Sequence, residues 1–254
     1  MVDEELFNSY RTALGANADL AKMACEELVA SYSGTLTKSE LSEVYAALVR
    51  KLGQYAAQVA LEFYEALREQ AGVTDEYTPK AFEPDNSGLL AWDVSNQTAA
   101  QLPGVAAQRV LQYADETIYA NGSVDPAHPT YALVPHAGAC GWCLMIGSQG
   151  WFTTRKTAAE NTRHANCRCS VVADFDTKSP SLKGYDPGVL VDVYTQARRN
   201  VESDAQAQWS AMDASERAKY TRSWHGGRTK SGVYDAYLRN RITAEMTRIS
   251  KQAD

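Results

Sequence analysis

Five residues restrict this chain's folding more than any others: Cys140, Cys143, His164, Cys167 and Cys169, spaced as C-x2-C-x20-H-x2-C-x-C. Zinc takes four ligands in tetrahedral array, favours thiolate and imidazole, and is typically bound by one tight C-x2-C pair and one distant pair. Cys140-Gly141-Trp142-Cys143 supplies the close pair, with Gly141 letting the backbone turn so that both sulfurs point one way. Cys167 and Cys169 lie two apart and would share a face on a strand, while His164 can swing in from the loop before them. The pattern favours Cys140, Cys143, His164 and Cys169 around a structural Zn2+, with Cys167 competing for the place of His164 or Cys169. Four protein ligands leave no position for an activated water, so the ion would contribute folding free energy rather than catalysis.

Other uses of these cysteines ask for features that the sequence does not display. A thioredoxin-like pair needs a cysteine opening a helix in a βαβ context, and no such context precedes Cys140. A zinc deaminase needs H-x-E upstream of its C-x-x-C, and neither His128 nor His136 is followed by that glutamate. Both histidines fall in a proline-flanked loop and read as surface or turn residues, as does His225 beside two glycines. Reduced, buried small side chains remain the plain alternative for the four clustered thiols. Cys25 stands alone in a helical pattern and reads as a core residue.

The 254 residues, with 44% hydrophobic and 22% charged side chains, suit a folded globular body. No stretch approaches the roughly 18 to 20 consecutive apolar residues needed to span a bilayer. The acidic start, Met1-Val2-Asp3-Glu4-Glu5, lacks a basic lead, so no membrane partner and a reducing compartment are expected. Net charge is -6, unevenly spread: residues 1–93 carry 16 acidic and 7 basic groups, residues 214–251 carry 9 basic and 3 acidic. Basic residues accompany the cysteines (Arg155, Lys156, Arg163, Arg168) and the end of the chain (Arg239, Arg241, Arg248, Lys251). Such groups can neutralise phosphates, although a solvated helix face is the default for a charge run.

Periodicity predicts a mainly helical α+β protein. Leu6, Phe7, Tyr10, Leu14, Leu20, Met23 and Leu28 predict a first helix, ending at Ser33-Gly34. Thr37-Lys-Ser-Glu40 is a capping-box pattern that opens a second, whose predicted stripe is Leu41, Val44, Leu48, Leu52, Tyr55, Val59, Phe63 and Leu67, with Gly72 as the stop. Together they predict a long helical hairpin. Residues 73–95, with Pro79, Pro84 and Gly88, read as linker, and helix resumes near Ser95, restarts at Pro103 and runs to Asn121-Gly122. Tyr131–Pro135 and Cys169–Phe175 have strand character around a glycine-rich stretch that places the cysteines on strand ends and turns. Helices are expected again after Pro187, after the second capping pattern Asp213-Ala-Ser-Glu216, and from about Ser231 to Ser250. Three domains follow: a helical arm and linker at 1–93, a zinc-stapled β-containing module at 94–180, and a basic helical tail at 181–254.

Around Cys140-Gly-Trp-Cys-Leu-Met-Ile-Gly-Ser-Gln-Gly150 and His164-Ala-Asn-Cys-Arg-Cys169, the chain resembles the Mu F-like minor head proteins of tailed bacteriophages. The likeness covers about residues 95–176 and is similar to the version found in phages of actinobacteria. It implies a virion structural protein at the portal vertex or capsid interior, made in the host cytoplasm. Its implied partners are the portal and major capsid proteins, and its implied roles are head assembly and the handling or ejection of packaged double-stranded DNA. A helical N-terminal arm is usual in that family. Members often carry an added protease or toxin domain, for which this chain has no Ser/His/Asp or Ser/Lys arrangement.

The expectation from sequence is therefore a non-enzymatic phage minor capsid protein with a structural zinc site. The rival from another class is a zinc-assisted nuclease with His128 or His136 as base near a basic groove. A plain protein-interaction module stapled by zinc is the third.

Overall fold

The computed structural model describes residues 1–32, 37–83, 87–151, 167–222 and 233–253. Among them are eight helices and one two-stranded sheet, which is the mainly helical α+β class expected. In chain order the elements are α1 (Glu4–Tyr32), α2 (Lys38–Gln70), α3 (Ser87–Asn96), α4 (Leu102–Val124), β1 (Thr130–Val134), α5 (Gly141–Gly147), β2 (Ser170–Asp174), α6 (Pro187–Ala211), α7 (Ala214–Arg222) and α8 (Val233–Ala253). They form two compact units, Met1–Val134 with Trp151–Tyr185, and Pro135–Gly150 with Asp186–Asp254.

In the first unit α1 and α2 pack on each other and both pack on α4. Thr37 caps α2 as the sequence announces: its hydroxyl accepts from the Glu40 amide while the Glu40 carboxylate accepts from the Thr37 amide at 2.7 Å. The buried stripes differ from those predicted. On α1 the buried face is Phe7, Tyr10, Leu14, Ala18, Ala21 and Cys25, and Leu20 and Met23 are about half exposed. On α2 it runs through Tyr45, Val49, Leu52, Gly53, Ala56, Ala57 and Ala60 to Phe63 and Tyr64, leaving Val44 and Tyr55 outside.

The physical reason is close packing. Counting large apolar residues misses a face built from alanine and glycine, where helix backbones approach and dispersion contacts accumulate. At Gly53 an added Cβ would stand 2.6 Å from the Tyr113 ring of α4, so that position takes no side chain.

The 73–95 stretch, expected as linker, contains α3. Leu90 and Val94 bury its inner face, and Asp93, fully buried, accepts two hydrogen bonds from Arg109 of α4 at 2.7 Å each. A second buried pair joins α2 to the end of α4: Arg68 meets Asp125, which also accepts from the Tyr64 hydroxyl at 2.7 Å. Burial and the neighbouring Asp125 push the Tyr64 hydroxyl's pKa well above the usual phenol range.

The strand expectations hold. β1 and β2 pair antiparallel with Thr130 opposite Asp174 and Val134 opposite Ser170. Both strands are buried along their length, with α4 and α2 packed on β2.

In the second unit α5, α6 and α7 each pack on α8. Asp186 caps α6 by accepting from the Gly188 amide, and the Asp213–Glu216 pattern forms its reciprocal bonds at 2.9 and 3.0 Å. Ala197, Val201 and Ala205 of α6 and Tyr237, Ile242 and Met246 of α8 make the buried interior. Trp209, Tyr220 and Tyr237 meet ring against ring, with centroids 5.1 to 6.1 Å apart.

Candidate metal centre

The proximal cysteines sit on a helix, where the sequence pattern suggests a turn. Cys140 is the N-cap of α5 and Cys143 lies in its first turn. Gly141 also has a different task from the one read in the sequence. A Cβ on it would fall 1.7 Å from the Thr243 carbonyl oxygen of α8, so its bareness serves close helix approach.

The distal cysteines, Cys167 and Cys169, lead directly into β2 and are both buried. Arg168 between them points elsewhere: its guanidinium donates to the Gly15 carbonyl of α1 at 2.9 Å and pairs with Asp19. That engagement fixes the short segment carrying the two thiols and removes Arg168 from the candidate phosphate ligands.

The sulfurs of Cys167 and Cys169 lie within 4.8 Å of each other and both residues are buried, as is Cys143 in the second unit, so these thiols can serve as metal ligands. Two sulfurs on one tetrahedral zinc at about 2.3 Å are about 3.8 Å apart, within reach of the Cys167 and Cys169 pair by small rotamer adjustments. Buried thiolates need a cation beside them, and a soft divalent ion offsets their charge. None of the five cysteines, all among the described residues, is joined in a disulfide.

Of the residues named from the sequence, Cys169 and its competitor Cys167 are thus brought together in the first unit, while Cys143 and the half-buried Cys140 share α5 in the second. His164 lies outside the described residues, as do Arg155, Lys156, Arg163 and the Trp224–Arg228 loop.

The remaining candidates separate cleanly. Cys25 is fully buried on α1, and burial, followed by the nearby Glu26 charge, pushes its thiol up to about 12, as befits an inert packing residue. His128 is exposed at a left-handed turn with φ 48°, and His136 is half-buried. Neither belongs to the thiol group.

Two of the tail's basic residues, Arg241 and Arg248, are committed to ion pairs. Arg241 pairs with Asp204 at 3.0 Å and Arg248 with Glu245 at 2.6 Å; on α6, Arg198 pairs with Glu202 at 2.7 Å. Formal charge counting could not show this, because the acidic partners lie up to 37 residues away in sequence. Among the described residues no helix is long and apolar enough to cross a membrane.

No curated protein and no solved structure matches the chain. A protein-family model described as VG15 protein matches residues 1–197, from the N-terminus through both cysteine pairs and into α6. Covering most of the chain, that match makes it a member of the VG15 protein family and, with it, a phage-associated protein.

Proposed function

We propose that this chain is a minor capsid protein of a phage head, built around a structural zinc site and acting in head assembly or DNA ejection. The close approach of the buried Cys167 and Cys169 sulfurs is the observation that carries the reading. Family membership supports the phage context, and the C-G-W-C and H-x-N-C-R-C motifs supply the minor-head resemblance. The ion would be held by these thiolates, with its remaining ligands drawn from Cys143, Cys140 and His164 of the sequence pattern. Its chemistry there is to fasten the segment before β2, whose folding it would favour by binding only the assembled ligands.

The portal and major capsid proteins are the proposed partners. The acidic arm, 16 acidic against 7 basic groups over residues 1–93, suits a basic partner surface, and Leu20, Met23, Val44 and Tyr55 add exposed apolar area to it. Contacts to packaged DNA would use exposed cations such as Arg199 and Lys251. The protein would act without catalysing a reaction.

Quantitative mass spectrometry of intact and DNA-emptied virions tests this directly. A few copies per particle, cross-linked to portal, is the expected result; absence from purified particles would overturn the reading. Linear DNA incubated with the protein and a divalent metal should stay intact, and cutting abolished by His136→Ala would favour the nuclease instead.

A further inference from the structure

Helix α8 lies beyond the residues that the family model matches, yet its contacts reach the cysteine-bearing helix. The Gly141 amide, one of the donors that a helix leaves without an internal partner at its N-terminus, donates to Thr247 Oγ1 at 2.7 Å. The Thr247 hydroxyl in turn donates to the Thr243 carbonyl at 2.9 Å, the same oxygen that a Cβ on Gly141 would strike. A carbonyl, a hydroxyl and an amide thus run in sequence from α8 to the first turn of α5.

We propose that Thr247 is a positioning residue for the metal centre, fixing the first turn of α5 and so the Cys143 thiol two residues beyond Gly141. The inference rests on the reading that Cys143 is a ligand. Seven residues do not hold a helix by themselves, because nucleation costs more than so few bonds return. α5 therefore takes its place from its neighbours. Its far end is gripped as well: a Cβ on Gly147 would stand 2.5 Å from Pro135 and 3.0 Å from Leu190 of α6.

Metal–ligand distances tolerate only about 0.2 Å, so a helix shifted by a new side chain or a lost hydrogen bond misplaces its sulfur. Losing an outer partner of this kind typically weakens metal binding by about 10- to 100-fold.

The test is a chelator-competition titration of zinc, with the cobalt-substituted absorption spectrum, on the full-length chain and its Thr247→Val, Thr247→Ser and Gly141→Ala variants. Thr247→Val should weaken zinc by about tenfold and alter the thiolate-to-cobalt bands, Gly141→Ala should do so more strongly, and Thr247→Ser should restore both. Arg248→Gln, on the exposed side of the same helix, should change neither. If Gly141→Ala fails to fold, the Val and Ser pair still decides, since neither adds bulk. Wild-type affinity and bands in Thr247→Val would overturn the positioning role while leaving the centre intact. A wild-type chain that takes up no zinc or cobalt would overturn both.

Discussion

Asp125→Asn perturbs the first unit at one of the two fully buried carboxylates among its described residues and keeps the side chain's shape. Asp125 is fully buried, and Arg68, whose side chain is 7% exposed, depends on it for a counter-charge. Breaking such a pair from one side typically costs about 3 to 5 kcal/mol, because the partner stays desolvated. Asp75 places the loss at the lower end, because it still faces Arg68 from a position 32% exposed. The single amide oxygen of Asn keeps only one of two bonds, the one that Oδ2 accepts from the Tyr64 hydroxyl or the one that Oδ1 accepts from the Ala127 amide. The expected loss is about 3 kcal/mol, seen as an earlier urea midpoint and as faster amide exchange in α2 and α4. Arg68→Met should cost about as much alone, and combining the two should add little, giving a coupling energy of about 2 to 3 kcal/mol. Additive losses, with coupling below about 0.5 kcal/mol, would refute the claim that the two charges depend on each other.

Three further outcomes follow from particular contacts. Arg168→Ala releases the thiol-bearing segment from Gly15 and Asp19; the exposed ion pair is worth under about 1 kcal/mol, so global stability should hardly move while zinc affinity falls, as chelator competition would report. Gly53→Leu forces a side chain into the Tyr113 ring and should cost about 2 kcal/mol or more in urea unfolding; an unchanged midpoint would contradict the close approach of α2 and α4. Glu245 is held down to about 2 by its hydrogen bonds from Arg248 and Asn200, so it contributes stability above its ordinary value of 4.5 that is lost as pH falls toward 2. Glu245→Gln should flatten that part of the acid unfolding curve, and an equal acid slope in both proteins would remove Glu245 as a contributor.

Much of the local structure was legible because local rules govern it. Both capping patterns, the proline-led starts of α4 and α6 and the two β-rich runs form as the residues suggest, each decided within a few positions. The distal thiols were legible for a similar reason, since residues two apart entering a strand come together. What could not be read depends on distant partners. The inner faces of α1 and α2 are marked by alanines, whose value appears only when α4 lies against them. α3 is stabilised by an aspartate whose arginine sits 16 residues away, in a stretch that prolines and a glycine label as loop. α5 reads as a glycine-rich turn because Gly141 makes sense only with Thr243 and Thr247 in view, about a hundred residues later. The net positive tail likewise has part of its charge neutralised once Asp204 and Glu245 are seen beside Arg241 and Arg248.

X-ray absorption at the zinc edge of the purified full-length protein bears most directly on the centre. Sulfur scatterers at about 2.3 Å, three or four to each ion and about one ion per chain, are predicted from the C-x2-C and H-x2-C-x-C ligand pattern and the paired thiols of Cys167 and Cys169. A stably folded protein that carries no metal, or an ion surrounded by oxygen alone, would contradict the account.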